Sequence, residues 1–207
     1  MDDDEKKLTI LTNLNLHYPR QQVSQFSPFA GAVRTIIGQQ TNRPNVQAAM
    51  TLLRPYLTPS KMDQLSLPQV NQLIAHIRFH QHKASYLKAF TTWYLSHGGK
   101  YENFIAIPTP QLRKELLSLP GIGNETADTI LLYTFKRRVF IADRYAMQLF
   151  NRLGFGPYQK YLPMQAEFAP LVIRATYDTV RNWHFSIDQH SHAYNLHPED
   201  ESWLLVP

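Results

Sequence analysis

Apolar positions recur with helical spacing over most of the chain. Ser27-Pro28 has the form of an N-cap followed by proline at the first helical position, and Phe29, Val33, Ile36 and Ile37 then share one face. Pro44 opens a second helix with Val46, Ala49 and Leu53 inward, and Pro68 a third with Val70, Leu73, Ile74 and Ile77. Ala84, Leu87, Phe90 and Tyr94 stripe a fourth, stopped by Gly98-Gly99. Thr109-Pro110 caps a short helix carrying Leu112, Leu116 and Leu117. After a turn at Leu119–Gly123 a helix resumes through Ala127, Ile130 and Leu131. Val139-Phe140-Ile141 is a short apolar run before a helix from Asp143 to Leu153, ended by Gly154, and one longer helical region follows Pro163. No segment alternates as a strand does. The pattern predicts an all-α protein of about ten helices with short loops and no repeat.

Composition narrows what such a chain can be. Its 207 residues can bury a core shared by two small domains, and 12% aromatic residues exclude a disordered chain. No stretch reaches the ~18 uninterrupted apolar residues of a membrane span. Met1 to Lys7 shows neither the apolar run of a secretion signal nor the arginine bias of a transit peptide, so a cytoplasmic location is expected. The absence of cysteine excludes disulfides, thiolate zinc sites, iron–sulfur clusters and cysteine nucleophiles. The net charge of +5 hides an asymmetry: between residues 6 and 198 all 21 basic residues stand against nine acidic ones, a local +12. A basic body with acidic ends suggests a polyanion, nucleic acid first, although a solvated basic surface is also possible.

Candidate chemistry centres on Leu119-Pro120-Gly121-Ile122-Gly123, between two apolar-periodic helices. Two glycines allow a tight turn and bring backbone N–H groups close to a ligand with no Cβ in the way. The helix that follows at once, through Asn124, Glu125 and Thr126, adds free N–H groups and a dipole that favour an anion. Ile122 can pin the turn into the core, and Arg113, Lys114, Lys136, Arg137 and Arg138 flank it. Such a unit holds a phosphate without reading bases. A plain corner between two helices could also use two glycines; the basic flanks favour backbone binding. Gly121→Ala or Gly123→Ala is then expected to weaken DNA binding with little loss of fold.

Leu119 through Asp128 resembles the helix-hairpin-helix of the endonuclease III superfamily (HhH-GPD) of DNA glycosylases. Val139 through Tyr145, running into Asn151-Arg152-Leu153-Gly154, resembles the segment that carries that superfamily's catalytic aspartate. Ser27 through Asn42 is similar to its early helix and glutamine-bearing loop, and Lys83 through Gly99 to its Lys-rich helix. The resemblance runs in order over residues 20–155; beyond 156 only His192-Ala193 matches, and loosely. It implies an all-α fold of two helical lobes around a DNA cleft. One lobe, residues 29–137, is a helical barrel ending in the hairpin; the other, 1–28 plus 138–207, carries Asp143 as catalytic residue. Leu119, Pro120, Gly121, Ile122, Gly123, Asn124 and Thr126 would hold the DNA backbone, and the hairpin carbonyls a monovalent cation. Gln39 or its neighbour Gln40 would fill the gap left by a flipped nucleotide. The expected partner is double-stranded DNA with a damaged base, bound by a monomer without a membrane.

Two departures from the superfamily pattern narrow the activity. Many members carry a four-cysteine iron–sulfur loop; this chain has no cysteine, so no cluster is expected. Bifunctional members have a lysine two residues after the second hairpin glycine, where this chain has Glu125. A lysine amine can attack the sugar and form a Schiff base that permits strand cleavage; a carboxylate cannot. The pattern is most like the cluster-free 3-methyladenine glycosylase branch, which implies a monofunctional enzyme of base excision repair with water as nucleophile. Alkylation at a ring nitrogen makes the purine cationic, so it leaves as a neutral base. The site then needs no strong acid, only a carboxylate beside the sugar and a pocket for a cationic ring. Asp143 would be that carboxylate, although an aspartate before a helix is also an ordinary N-cap. The tail brings Asp188, His190 and His192 together with His184 and His197, but residues two apart do not share a helix face, which disfavours a metal. The alternatives are a glycosylase for uracil or thymine mismatches and a non-catalytic binder of damaged DNA.

Overall fold

The computed structural model describes residues 2–19 and 26–206; residues 20–25, where the resemblance begins, lie outside the described residues. Eleven α-helices and no strand occur among the described residues: α1 (Asp3–His17), α2 (Pro28–Gly38), α3 (Arg43–Leu53), α4 (Pro59–Gln64), α5 (Leu67–Leu73), α6 (His80–Ser96), α7 (Thr109–Leu117), α8 (Asn124–Tyr133), α9 (Arg144–Arg152), α10 (Tyr161–Ile173) and α11 (Tyr177–Leu196). Among the described residues no helix is long and apolar enough to cross a membrane. The chain divides into a central unit, Gln25–Arg137, and a terminal unit, Met1–Ser24 with Arg138–Pro207.

Helices α2 to α5 of the central unit are proline-led and side-chain-capped. Ser27 accepts a hydrogen bond from the Ala30 N–H, Asn42 from Asn45 and Thr58 from Lys61, while Ser66 and Gln69 form a reciprocal box. The α2 face of Phe29, Val33, Ile36 and Ile37 is buried, and α2 packs on α3, α6 and α8. Rings of Phe29, Phe90, Tyr94, Phe104 and Phe135 fill the centre, with Tyr94 and Phe104 4.7 Å apart. Arg137 closes the unit, its guanidinium donating to the carbonyls of Phe104, Ile105 and Ile107.

In the terminal unit α1 and α9 both pack on α11. The Val139–Ala142 run is buried but not helical, and delivers the chain to Asp143. Phe140 and Phe150 flank Phe168, at 4.3 and 4.7 Å. Lys7 is buried against Phe168 and paired with Glu167.

Several expectations need correction. The single helical region after Pro163 is two helices, α10 and α11, separated by Arg174–Thr176. Helix α10 starts at Tyr161, so Pro163 lies in its first turn, where a missing N–H costs nothing. Thr176 caps α11 by accepting from the Thr179 N–H, a break made without glycine or proline. The cap of α7 is Pro108, with Thr109 already helical, and Ile77 is buried in the turns beyond the end of α5. Helix α1 went unpredicted because Lys7 stands on its core face among Ile10, Leu11 and Leu14, breaking the apolar stripe.

Candidate active site

The hairpin joins α7 to α8. Gly121 has φ +74°, in the left-handed region, and a Cβ there would lie 2.1 Å from the Tyr86 ring. Glycine is therefore required twice over, by backbone conformation and by the aromatic side chain pressed against it. Gly123 differs. It is the N-cap of α8 in an extended conformation, supplies no side-chain cap, and has nothing within 4 Å of where a Cβ would stand. The start of α8 is thus open at Gly123 and has no side-chain cap, while its first turn carries the exposed Glu125 carboxylate. Ile122 is buried beneath the turn, while Pro120 and Glu125 are exposed and Leu119, Asn124 and Thr126 half-buried.

The flanking cations serve two purposes. Arg113 makes a two-point contact with the fully buried Asp128, at 2.8 and 3.1 Å, and also donates to the Asn124 side chain, bracing α7 against α8. Arg137 and Arg138 donate to backbone carbonyls. Lys114 and Lys136 are exposed, and they are the flanking cations best placed for solvent-borne phosphate.

The glutamine loop is tied to the hairpin. Gln39 Nε2 donates to the Gly121 carbonyl at 2.8 Å and to Thr126 Oγ1 at 2.9 Å. The half-buried Gln39 amide is thus engaged with the hairpin, whereas Gln40 is exposed, with φ +49°. Buried Lys83 holds the loop from below, its ammonium donating to Ile37 O, Gln39 O and Thr41 Oγ1. Burial pushes the Lys83 pKa down to about 8. Phe79, also left-handed at φ +60°, exposes 47% of its surface. A cavity of about 540 Å³ lies among Gln39, Gln40, Phe79, His82, Tyr86, Gly121, Glu125 and Thr126. The Leu119 and Gly121 carbonyls each accept one hydrogen bond and each keeps a second lone pair, so the turn has oxygen donors suited to a monovalent cation.

Asp143 belongs to the terminal unit. It caps α9, with Oδ1 accepting from the Ala146 N–H at 2.8 Å, and the residue is buried. Its other oxygen, Oδ2, lies 3.4 Å from His184 Nε2 on α11. The tail histidines thus pair with different carboxylates. His190 is fully buried between Glu201 at 2.7 Å and Tyr18 at 3.3 Å, and His192 faces Asp188 one turn earlier on α11. Among the described residues no group of three or more His, Asp or Glu is arranged to hold a metal. A larger cavity of about 730 Å³ lies beside the 153–158 loop and touches none of the candidate residues.

Sequence reasoning missed Lys83, Tyr86 and Phe79 as site residues, and weighed His184 only as a metal ligand, not as a partner of Asp143. Only Lys83 left a signal, a lysine in register with the apolar stripe of Leu87, Phe90 and Tyr94.

Residues 33–172 match the HhH-GPD superfamily of base excision DNA repair proteins, and the chain belongs to that superfamily. It is 36% identical over 126 residues to a provisionally named DNA repair glycosylase of Methanocaldococcus jannaschii, covering 59% of this chain and 57% of that protein. It is 26% identical over 140 residues to endonuclease III of Thermotoga maritima, covering 67% of this chain and 62% of that one. The chain therefore spans about three fifths of the length of these curated relatives. The structure of the H. pylori 3-methyladenine DNA glycosylase bound to 1,N6-ethenoadenine superposes with a TM-score of 0.77 at 21% identity, over 93% of this chain and 98% of that one.

Proposed function

We propose that this protein is a DNA glycosylase of base excision repair, monofunctional, acting on alkylated purines of the 3-methyladenine type in double-stranded DNA. The observation that carries the reading is that the chain holds two different helix starts, an α8 terminus without a side-chain cap behind a two-glycine turn in one unit, and a buried carboxylate, Asp143, at the start of α9 in the other. The first suits a phosphate, the second a developing cation. The names of the relatives support the same class.

In this reading the hairpin N–H groups hold the backbone beside the lesion, and a cation on the turn's carbonyls would offset phosphate charge there. The C1′–N bond breaks with its electron pair leaving on the base, which departs neutral if it was alkylated. Water then bonds to C1′ while Asp143 Oδ2 faces the positive sugar and takes the water's proton. Glu125, where lyase members carry lysine, supports a reaction that ends at the abasic site. Phe79, His82 and Tyr86 beside Glu125 offer aromatic faces and a carboxylate, which suit a cationic ring better than a neutral pyrimidine. Exposed Gln40 is the better candidate to fill the vacated space, with Gln39 bracing the loop behind it.

The test is chromatography of free bases released from methylated DNA by wild type and Asp143→Asn, with borohydride trapping alongside. Release of 3-methyladenine or 7-methylguanine by wild type alone, without a trapped adduct, is the expected result. Release only from uracil or thymine mismatches would move the substrate class, a trapped adduct would make the enzyme a lyase, and tight binding without release would leave a damage-binding protein.

A further inference from the structure

The environment of Asp143 assigns a role to a residue that neither the hairpin nor the motif suggests. One carboxylate oxygen, Oδ1, is taken by the Ala146 N–H at the start of α9. Only Oδ2 is left to face a sugar or a water, and that is the atom His184 Nε2 approaches, at 3.4 Å. The contact comes from a different helix, α11, so the cap fixes one edge of the carboxylate and the imidazole bears on the other.

The other tail histidines set this one apart. His190 is fully buried and spans Glu201 and Tyr18, tying the C-terminal segment to α11 and α1. His192 is half-exposed and faces a carboxylate on its own helix. His184 alone among the three faces a carboxylate assigned to the chemistry, and with 23% of its side chain accessible it is neither sealed in the core nor loose on the surface.

We infer that His184 is a positioning residue for Asp143: its imidazole N–H holds the plane of the carboxylate so that Oδ2 presents to C1′ and to the attacking water. The inference rests on the glycosylase reading above. A carboxylate held by a single N–H can swing about its Cβ–Cγ bond, and misplacement of a reacting group by about 1 Å can cost on the order of a hundredfold in rate. An N–H donor on the second oxygen restricts that motion and keeps Oδ2 directed at the positive sugar.

The experiment compares single-turnover base release, affinity for the same DNA and melting temperature for wild type, His184→Leu and His184→Gln. Glutamine places an amide N–H near the position of Nε2; leucine removes the donor and keeps the bulk. The expected result is a fall of about tenfold to a hundredfold in single-turnover rate for leucine, with unchanged DNA affinity and melting temperature. Most of the rate should return with glutamine. In an Asp143→Asn background, His184→Leu should cause no further loss, since it acts through the carboxylate. Leucine turning over like wild type overturns the inference, as does an equal fall in both variants that tracks a lower melting temperature. Should the leucine variant fail to fold, His184→Asn, whose amide falls one methylene short of the glutamine's, replaces it, and a wild-type rate there overturns the inference too. A wild type that releases no base from methylated or mismatched DNA ends the glycosylase reading and this inference with it; an active wild type beside an equally active His184→Leu ends this inference alone.

Discussion

Helices α8 and α9 begin in opposite ways, and the contrast is the key to the candidate site. Helix α8 starts on Gly123, which has no side chain to cap it and no atom within 4 Å of the missing Cβ. Helix α9 starts on Asp143, whose own carboxylate takes the Ala146 N–H. Both termini carry the same partial positive charge. In α8 no side chain caps the first N–H groups, and the chain's nearest carboxylate there is exposed Glu125; in α9 the cap itself is a carboxylate, whose second oxygen faces His184. On the proposed reading, one arrangement binds and the other reacts.

The largest expected effect comes from replacing the internal anion. Asparagine caps a helix about as well as aspartate, so Asp143→Asn should leave the melting temperature nearly unchanged. It removes the negative charge, and base release should fall by at least about a hundredfold, or roughly 3 kcal/mol of transition-state stabilisation. A variant that keeps its rate would reduce Asp143 to a cap and dissolve the contrast.

The two hairpin glycines come next and should separate. The sequence leads one to expect that either can become alanine with little loss of fold, and for Gly121 the structure contradicts this. A Cβ there meets Tyr86 at 2.1 Å in a left-handed backbone, so Gly121→Ala should destabilise the protein by about 2–3 kcal/mol in urea unfolding. Gly123→Ala meets nothing and should change stability by less than about 1 kcal/mol. It should nevertheless weaken DNA binding roughly tenfold, because the added methyl group stands where a phosphate must approach. Equal stability losses in the two variants would show that the α8 terminus is not open.

What could be read from the sequence follows the same division between local and distant. Proline-led helix starts, the two-glycine turn and the aspartate before α9 are signals contained within a few residues. The Gln39 amide on Gly121, the Lys83 ammonium under the glutamine loop and the His184 imidazole at Asp143 join residues far apart in the chain, and no periodicity reports such contacts. The break at Arg174–Thr176 escaped because its only mark is a threonine cap. The histidine tail looked like one feature and is three separate pairings with different carboxylates.

A smaller effect sharpens the picture of α9, which is held at its far end as well. Arg152 makes a two-point contact with Glu201, at 2.9 and 2.7 Å, and His190 adds a third bond. Burial alone would raise the Glu201 pKa, but the bonds from Arg152 and His190 outweigh it and hold the carboxyl at about 2. A carboxylate depressed in the folded state stabilises it fully above the ordinary value near 4.5 and loses that contribution as pH falls towards 2. Unfolding followed from pH 6 to pH 2 should therefore show an acid limb that Glu201→Gln flattens, with a cost at neutral pH of about 1–2 kcal/mol. An unchanged limb would mean that the clasp does not hold α9.

The smallest effects fall on two exposed lysines, Lys114 and Lys136, that flank the hairpin in sequence. Arg113 is tied to buried Asp128 and Arg137 to three carbonyls, so neither is free to shed counterions on binding DNA. Lys114 and Lys136 are exposed, and each phosphate that a lysine neutralises contributes about one unit to the slope of log affinity against log salt. Lys114→Ala and Lys136→Ala should each lower that slope by up to about one, weaken binding to damaged and undamaged duplexes alike, and change stability by less than about 0.5 kcal/mol. A salt slope untouched by both substitutions would place the phosphate contacts on the α8 backbone alone, and would make the open helix end carry the whole of the hairpin's affinity.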